Sequence, residues 1–433
     1  MSYSMPSNKR KGLMIILDGL GDRSCPALDG ATPLEAAHTP NLDRVAGAGL
    51  CGLIDPIYPG MPVGTHTGTG VLMGLALRDA HQLSRGPVEA AGVGLLMQPG
   101  DVALRCNFAT LRPDADGFAI QDRRAGRIRA GTDELCQTLS KVALGPTITA
   151  TVHPATQHRA VLRLTGRGLS AAITDTDPGA GAEPMRVLNS HPRHAKDAAA
   201  AETAAAINEF TREAYARLSE HPVNRERIDR GLPAANGIIT RGAGQIRKLT
   251  NLLQQRGLEV AVVAGERTVL GLGRLFDFTT ISGAGFTALP DTDLSGKVEA
   301  ARVALEAHDM VIVHIKGTDI CSHDRDPRAK KSLLERIDRA LAPLLTGELV
   351  IAVSGDHSTD CNTGCHCGDP VPSLLYSPAG RRDRCQQFGE TECAAGGLGR
   401  VSATGLLLSM LDYMGCMQNF RRADRYFFVT DGA

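Results

Sequence analysis

The stretch LVIAVSGDHSTD, residues 349–360, sets an apolar run against an abrupt polar ending in which Asp356 and His357 are adjacent. A short β-branched run closed by Ser and Gly reads as a fully buried strand. The acid and the imidazole then stand where the chain leaves the sheet, as two hard or borderline donors. The same design recurs: LMIIL (13–17) runs into Asp18, and MVIVHIK (310–316) ends on Lys316 just before Asp319. VAVVAG (260–265) is a further strand of this kind, and helical segments lie between the strands. Such alternation predicts an α/β fold with a mostly parallel sheet. In these folds ligands collect at the carboxyl ends of the strands, so Asp18, Lys316 with Asp319, and Asp356 with His357 are expected to share one crevice.

Bulk composition narrows the function classes. The chain has 433 residues, 42% hydrophobic and 22% charged, with Lys plus Arg equal to Asp plus Glu at 47 each. Zero formal net charge and 4% aromatics give neither the basic stripe nor the stacking surface of a nucleic-acid binder, so no nucleic-acid partner is expected. No apolar run approaches a membrane span. The N-terminal basic and apolar run meets Asp18 too soon for a signal peptide, which makes the cytoplasm the expected compartment. The 11 cysteines, an odd number without a secretory signal, point to reduced thiols. CNTGCHCGD (361–369) crowds three of them around His366 but lacks the C-x-x-C spacing of a zinc knuckle.

Residues 83–249 differ in character, with hairpin-like pieces (VALRCNFATLRPDADGFAIQDRRAGRI and QHRAVLRLTGRG) and an Ala-rich helix, AKDAAAAETAAAINEFTREAYARL. We read them as an α+β domain inserted into a discontinuous core formed by residues 1–82 and 250–433.

Several residues invite chemistry. Asp319 and His323 are four apart and can meet one metal from a turn or loop, the HDRDP stretch keeping the segment irregular. Asp356, His357 and His366 add donors, and with Asp18 the set is rich enough for two divalent ions, which together clamp a phosphoryl group. PVGTHTGTGVLMGL (62–75) places Thr65 before an apolar run whose Val71, Leu72 and Leu75 suit the buried face of a following helix. Thr65 is therefore a helix cap or a nucleophile over an anion site. Within the insert, Arg85, Arg105, Arg123, Arg124, Arg127, His158, Arg159 and Arg241 supply cations suited to carboxylate and phosphate, about half of them expected to be ordinary surface residues. A subset is expected to line the cleft between the domains. Asn107 either orients a substrate hydroxyl or closes a turn.

ILDGLGD, TPLEAAHTPNLD, RGPVEAAG, RCNFATL, DRRAGRI, RGAG, HIKGTDICSHD, SGDHSTD, CHCGDPVP and GGLGR, in that order along the chain, resemble the archaeal-type cofactor-independent phosphoglycerate mutases of the alkaline phosphatase superfamily. The resemblance implies an alkaline-phosphatase-like α/β core with two metals, a phosphoenzyme on a hydroxyl, and an inserted domain that holds a small phosphorylated substrate. It implies one metal on Asp319, His323 and His366, and the other on Asp18, Thr65, Asp356 and His357, with Thr65 as nucleophile. His66, Arg105, Asn107, Arg123, Arg127, His158, Arg159 and Arg241 become the substrate-binding set. The donors suit Mn2+ or Zn2+ first, with Mg2+ or Co2+ also compatible. Oligomeric state is not legible.

The family pattern around the nucleophile is close to G-S-D-T-A-H, whereas this chain has Gly64, Thr65, His66, Thr67, Gly68 and Thr69. A family lysine is replaced by Leu270, and the usual G-A-T-G turn reads GAGF (283–286). Losing an acid, a histidine and a lysine weakens retention of a dephosphorylated intermediate, and a mutase that loses its intermediate becomes a hydrolase. The expectation is a phosphatase diverged from the mutases, acting through phosphothreonine. The alternative is a 2,3-bisphosphoglycerate-independent phosphoglycerate mutase, and the remaining rival is a catalytically silent metal-binding protein.

Overall fold

The computed structural model describes residues 9–80, 82–179, 181–246 and 249–417, so the first eight residues of the N-terminal stretch lie outside it. Its strands, in chain order, are β1 (Gly12–Leu17), β2 (Leu50–Asp55), β3 (Val102–Asp114), β4 (Gly117–Asp122), β5 (Val142–Leu144), β6 (Ile148–Pro154), β7 (Arg159–Thr165) and β8 (Gly237–Gln245). They continue with β9 (Val260–Val263), β10 (Thr279–Ile281), β11 (Met310–Ile315), β12 (Val350–Ser354), β13 (Ser358–Asp360), β14 (Cys365–Cys367), β15 (Val371–Tyr376) and β16 (Gly399–Ser402).

The chain divides into two compact units, one formed by residues up to Gln82 together with those from Leu249 onward, the other by Leu83–Lys248. In the first, eight strands form a sheet in the order β10-β9-β11-β1-β12-β15-β2-β16. From β10 to β12 every pairing is parallel, and β15 alone runs against its neighbours. β1 is buried along its whole length because it lies between β11 and β12 with both faces covered, which is why it reads as a continuous apolar run. Leu13, Ile15 and Leu17 pack with Val311, Val313, Ile351 and Val353 in one apolar cluster.

The second unit is built on an antiparallel sheet, β4-β3-β7-β6-β5, with β8 also pairing with β3. The long helix Ala198–Ser219 is capped by the Asp197 side chain, which accepts from Ala200 N, and buries Ile207, Phe210 and Leu218 in this unit's own core. Among the described residues no helix is long and apolar enough to cross a membrane.

Two local readings change. Asp319 and His323 lie on a regular helix, Gly317–His323, and the chain breaks only after it, where Arg325 takes φ 56°. The Gly/Thr stretch is itself a helix, Thr65–Leu72, rather than a turn before one, and Leu75 lies beyond its end. Two interior glycines cost such a helix about 1 kcal/mol each in propensity, and packing explains one of them. A Cβ on Gly68 would stand 2.0 Å from the Asp356 carbonyl oxygen, so the helix can approach the end of β12 only with glycine there. Gly68→Ala is expected to cost about 2 kcal/mol or more of stability, measured by urea unfolding; an unchanged midpoint would show that the two segments separate freely.

Candidate active site

Parallel order sends the carboxyl ends of β11, β1 and β12 the same way, and these three strands are neighbours. Asp18 follows β1 directly, Asp319 sits in the first turn of the helix after β11, and Asp356 with His357 follows β12. The β13–β14 hairpin then places His366 opposite Thr359. Asp18, Asp319, Asp356 and His357 are all essentially buried.

Thr65 is the first residue of its helix, Gly64 is the N-cap, and no side chain caps the helix. The Thr65 hydroxyl instead faces the cluster, with Oγ1 3.5 Å from Asp18 Oδ1, 3.5 Å from His357 Nε2 and 3.0 Å from Lys316 Nζ. Lys316 also donates to Asp18 Oδ1 at 2.9 Å and to Asp319 Oδ2 at 2.6 Å, so its ammonium joins the hydroxyl to two acids. Burial pushes the Asp18 and Asp319 carboxyls up more than any one partner lowers them, but the Lys316 charge together with the neighbouring histidines (His314 and His357 at Asp18, His323 and His357 at Asp319) outweighs it and holds both below the usual carboxylate range. Asp356, without such a partner, is raised by burial and by the nearby Asp18 charge.

The histidines are oriented by their second nitrogens. His323 Nδ1 lies 2.8 Å from the Gly364 carbonyl oxygen and His366 Nδ1 2.7 Å from that of Val63, so each Nδ1–H donates and each Nε2 is left as a lone pair. Those two Nε2 atoms face one another at 3.2 Å, and His323 Nε2 stands 3.3 Å from Asp319 Oδ2. Thr359 Oγ1 donates to Asp319 Oδ1 at 2.8 Å and lies 3.0 Å from His357 Nδ1, which directs His357 Nε2 toward Asp18. Gly19, at φ 63°, leaves room for this lattice, since a Cβ there would meet Thr359 Oγ1 at 2.7 Å.

Three donor groups here have the spacing to hold a cation: Asp319 with His323 and His366, Asp18 with Asp319 and His357, and Asp18 with His314 and Asp356. The donors fit a divalent ion. Converging lone pairs are repulsive until a cation lies between them, and buried Asp18 Oδ2 accepts no hydrogen bond although His314 Nε2 is 3.1 Å away. From sequence Lys316 was placed in the shared crevice but given no role in the site, and His314 was missed. Lys316 had a signal, a cation at a strand end three residues before an acid; His314, an interior strand position, had none.

Of the altered positions, Thr69 is buried and donates to Asp356 Oδ2 at 2.9 Å, Leu270 is buried, and His66 is half-buried with its ring over Gly64.

The second unit holds a separate cationic cluster. On β3, Arg105 is opposite Arg241 of β8, and Asn107 is opposite Arg159 of β7. Arg105 is buried, and burial followed by the charges of Arg159 and Arg85 pulls it well below its ordinary value. Arg85 Nε, Arg105 Nε and Nη1, Arg241 Nε and Asn107 Oδ1 are buried without hydrogen bonds. Glu89 offers partial compensation, at 3.8 Å from Arg105 and 3.5 Å from Arg85. Buried guanidinium nitrogens without hydrogen bonds have capacity for an anion. Arg123 differs, since its fork is taken by Asp177 at 2.7 Å, and Asn107 donates to the Arg123 carbonyl at 3.3 Å. Arg124 and Arg127 are exposed.

His158, buried beside these cations, is lowered to about 3, by burial first and then by Arg159. Its unfolded form protonates near 6.5, so between that pH and about 3 the unfolded chain binds the extra proton and stability falls as pH drops. The stability advantage of wild type over His158→Gln should shrink by up to about 1.4 kcal/mol per unit from pH 6 to pH 4. A difference independent of pH, by denaturant titration, would contradict this.

A family model described as 2,3-bisphosphoglycerate-independent phosphoglycerate mutase matches residues 46–224. A protein of that name from Methanopyrus kandleri is 42% identical over 419 residues, covering 95% of this chain and 98% of its own. This chain belongs to the 2,3-bisphosphoglycerate-independent phosphoglycerate mutase family. A second relative from Archaeoglobus fulgidus is 40% identical over 94% of this chain and 99% of its own. Among solved structures, a Pyrococcus horikoshii protein is similar at TM-score 0.80 and 33% identity, covering 96% of this chain and all of that one. The cofactor-independent phosphoglycerate mutase of Thermoplasma acidophilum gives TM-score 0.66 at 31% identity, covering 94% of this chain and 100% of its own.

Proposed function

We propose that this family member is a metal-dependent phosphoglycerate mutase that interconverts 3- and 2-phosphoglycerate through phosphothreonine at Thr65. The observation that carries the reading is the Thr65 hydroxyl, which caps nothing and faces Asp18, His357 and Lys316. Names of full-length relatives favour mutase action over the hydrolysis that the altered nucleophile loop suggested. Hydrolysis stays as the second reading because Thr69, where the family pattern has histidine, serves to hold Asp356.

Two divalent ions, held by Asp319, His323 and His366 and by Asp18, Asp356 and His357 with Thr65, would depress the hydroxyl's pKa and offset phosphoryl charge. The Thr65 oxygen attacks phosphorus as its proton passes to solvent, the bond from phosphorus to the substrate oxygen breaks, and that oxygen takes up a proton from solvent to leave as the glycerate hydroxyl. Lys316 remains cationic at 3.0 Å from Oγ1 and opposes the negative charge that gathers there. Arg105 and Arg241, with buried guanidinium nitrogens that make no hydrogen bond, supply groups of the kind that binds a carboxylate. Transfer back to the other glycerate hydroxyl restores Thr65.

The test is metal-loaded protein with 3-phosphoglycerate and no bisphosphoglycerate. Formation of 2-phosphoglycerate without stoichiometric phosphate is expected, and one phosphate per substrate consumed with no 2-phosphoglycerate would establish the hydrolase instead. Thr65→Ala should lower turnover by about 10³-fold or more with metal content retained. Asp319→Asn should lower metal content by elemental analysis, and unchanged stoichiometry would remove Asp319 from the ligands.

A further inference from the structure

A group of soft donors lies outside the site described above. Cys51 on β2, Asp383 and Cys385 each offer a ligand atom, and these atoms all lie within 4.8 Å of one another. Cys393, on the helix Glu390–Ala394, brings a third thiol against Cys51. Cys51, Cys385 and Cys393 are all buried. None of Cys361, Cys365 and Cys367, the sequence-adjacent set, belongs to a comparable group among the described residues.

The surroundings suit a built site. The stretch 377–389 contains neither helix nor strand, yet Asp383 is held firmly by backbone donors. Its Oδ2 accepts from Cys51 N at 2.8 Å and Gly397 N at 2.7 Å, and its Oδ1 accepts from Cys385 N at 2.9 Å. Oδ2 is filled by its two donors and Oδ1 keeps a further lone pair, so a carboxylate fixed in this way offers Oδ1 as a preorganised ligand atom. Cys385 Sγ donates to the Glu392 carbonyl oxygen at 3.2 Å and Cys393 Sγ to that of Ser373 at 3.6 Å, weak contacts that a thiolate gives up readily. In tetrahedral zinc, bonds of about 2.3 Å to sulfur set the ligand atoms about 3.8 Å apart. The ligand atoms of Cys51, Asp383 and Cys385, all within 4.8 Å of one another, lie near that spacing, and Cys393 approaches from the Cys51 side.

We propose that Cys51, Cys385 and Cys393, with Asp383 as fourth ligand, bind one structural zinc ion that ties the irregular 377–389 stretch and the helix after it to β2. Soft thiolate donors select zinc over the harder cations that the Asp/His centre accepts. The ion would staple segments more than 300 residues apart in sequence, as Asp383 and Cys51 are.

The decisive experiment replaces bound metal with Co2+ in the full chain. Thiolate ligation gives a near-ultraviolet sulfur-to-cobalt charge-transfer band that Asp and His ligands cannot produce. The band is expected in wild type, retained in Asp319→Asn, and lost or strongly reduced in Cys385→Ser and Cys51→Ser. Absence of the band in wild type with all 11 thiols titratable after denaturation overturns the proposal. So does a deficit of two thiols, which would signify a disulfide, or a band unchanged in every serine variant. If the serine variants do not fold, wild type decides by itself: an organomercurial added to zinc-loaded protein should release one zinc per chain to a metallochromic dye, and no release overturns the site.

Discussion

Three buried carboxylates at the ends of three adjacent parallel strands are the constraint on which the rest of the core unit depends. Asp18, Asp319 and Asp356 cannot be solvated where they stand, so each must meet a cation or a donor. Lys316 serves two of them at once and reaches the Thr65 hydroxyl with the same ammonium. Asp356 is served by Thr69 and by the Gly19 N–H at 3.2 Å, and its own backbone dictates glycine at position 68. The glycines and threonines of the helix Thr65–Leu72 thus answer to electrostatics and close packing at the sheet's end. That helix sacrifices propensity to bring one hydroxyl into a charged, water-poor corner.

The second unit solves the opposite problem. Its sheet register sets Arg105 opposite Arg241 and Asn107 opposite Arg159, gathering positive charge on buried strands. Beside them, Arg123 has a carboxylate in fork geometry, from Asp177. A cluster left short of anions is costly in the free protein, and an anionic ligand recovers that cost. One unit gathers acids and imidazoles that suit cations, and the other gathers guanidinium groups that suit a carboxylate or phosphate.

Much of this was legible in sequence because parallel strands buried on both faces must be apolar until they end, and their ends announce themselves with Asp18, Asp319, Asp356 and His357. The Ala-rich helix 195–218 and the β3–β4 hairpin were legible from propensity and turn residues. The helix Thr65–Leu72 was not, because Gly68 is explained only by the Asp356 carbonyl, far away in sequence. His314 looks like any interior strand position, and its approach to Asp18 follows from the pairing of β1 with β11. The thiol group escaped for the same reason: Cys51, Cys385 and Cys393 meet only after β2 and β15 pair, while the cysteines adjacent in sequence do not gather.

The central claim is that Thr65 becomes phosphorylated during turnover. Metal-loaded protein should be mixed with 3-phosphoglycerate, quenched in acid within the first turnover, digested and read by mass spectrometry. The account predicts a phosphoryl group on the peptide containing residues 62–75, assigned to Thr65. Full turnover with an unmodified chain, or phosphate found on Thr67 or Thr69 instead, would contradict it.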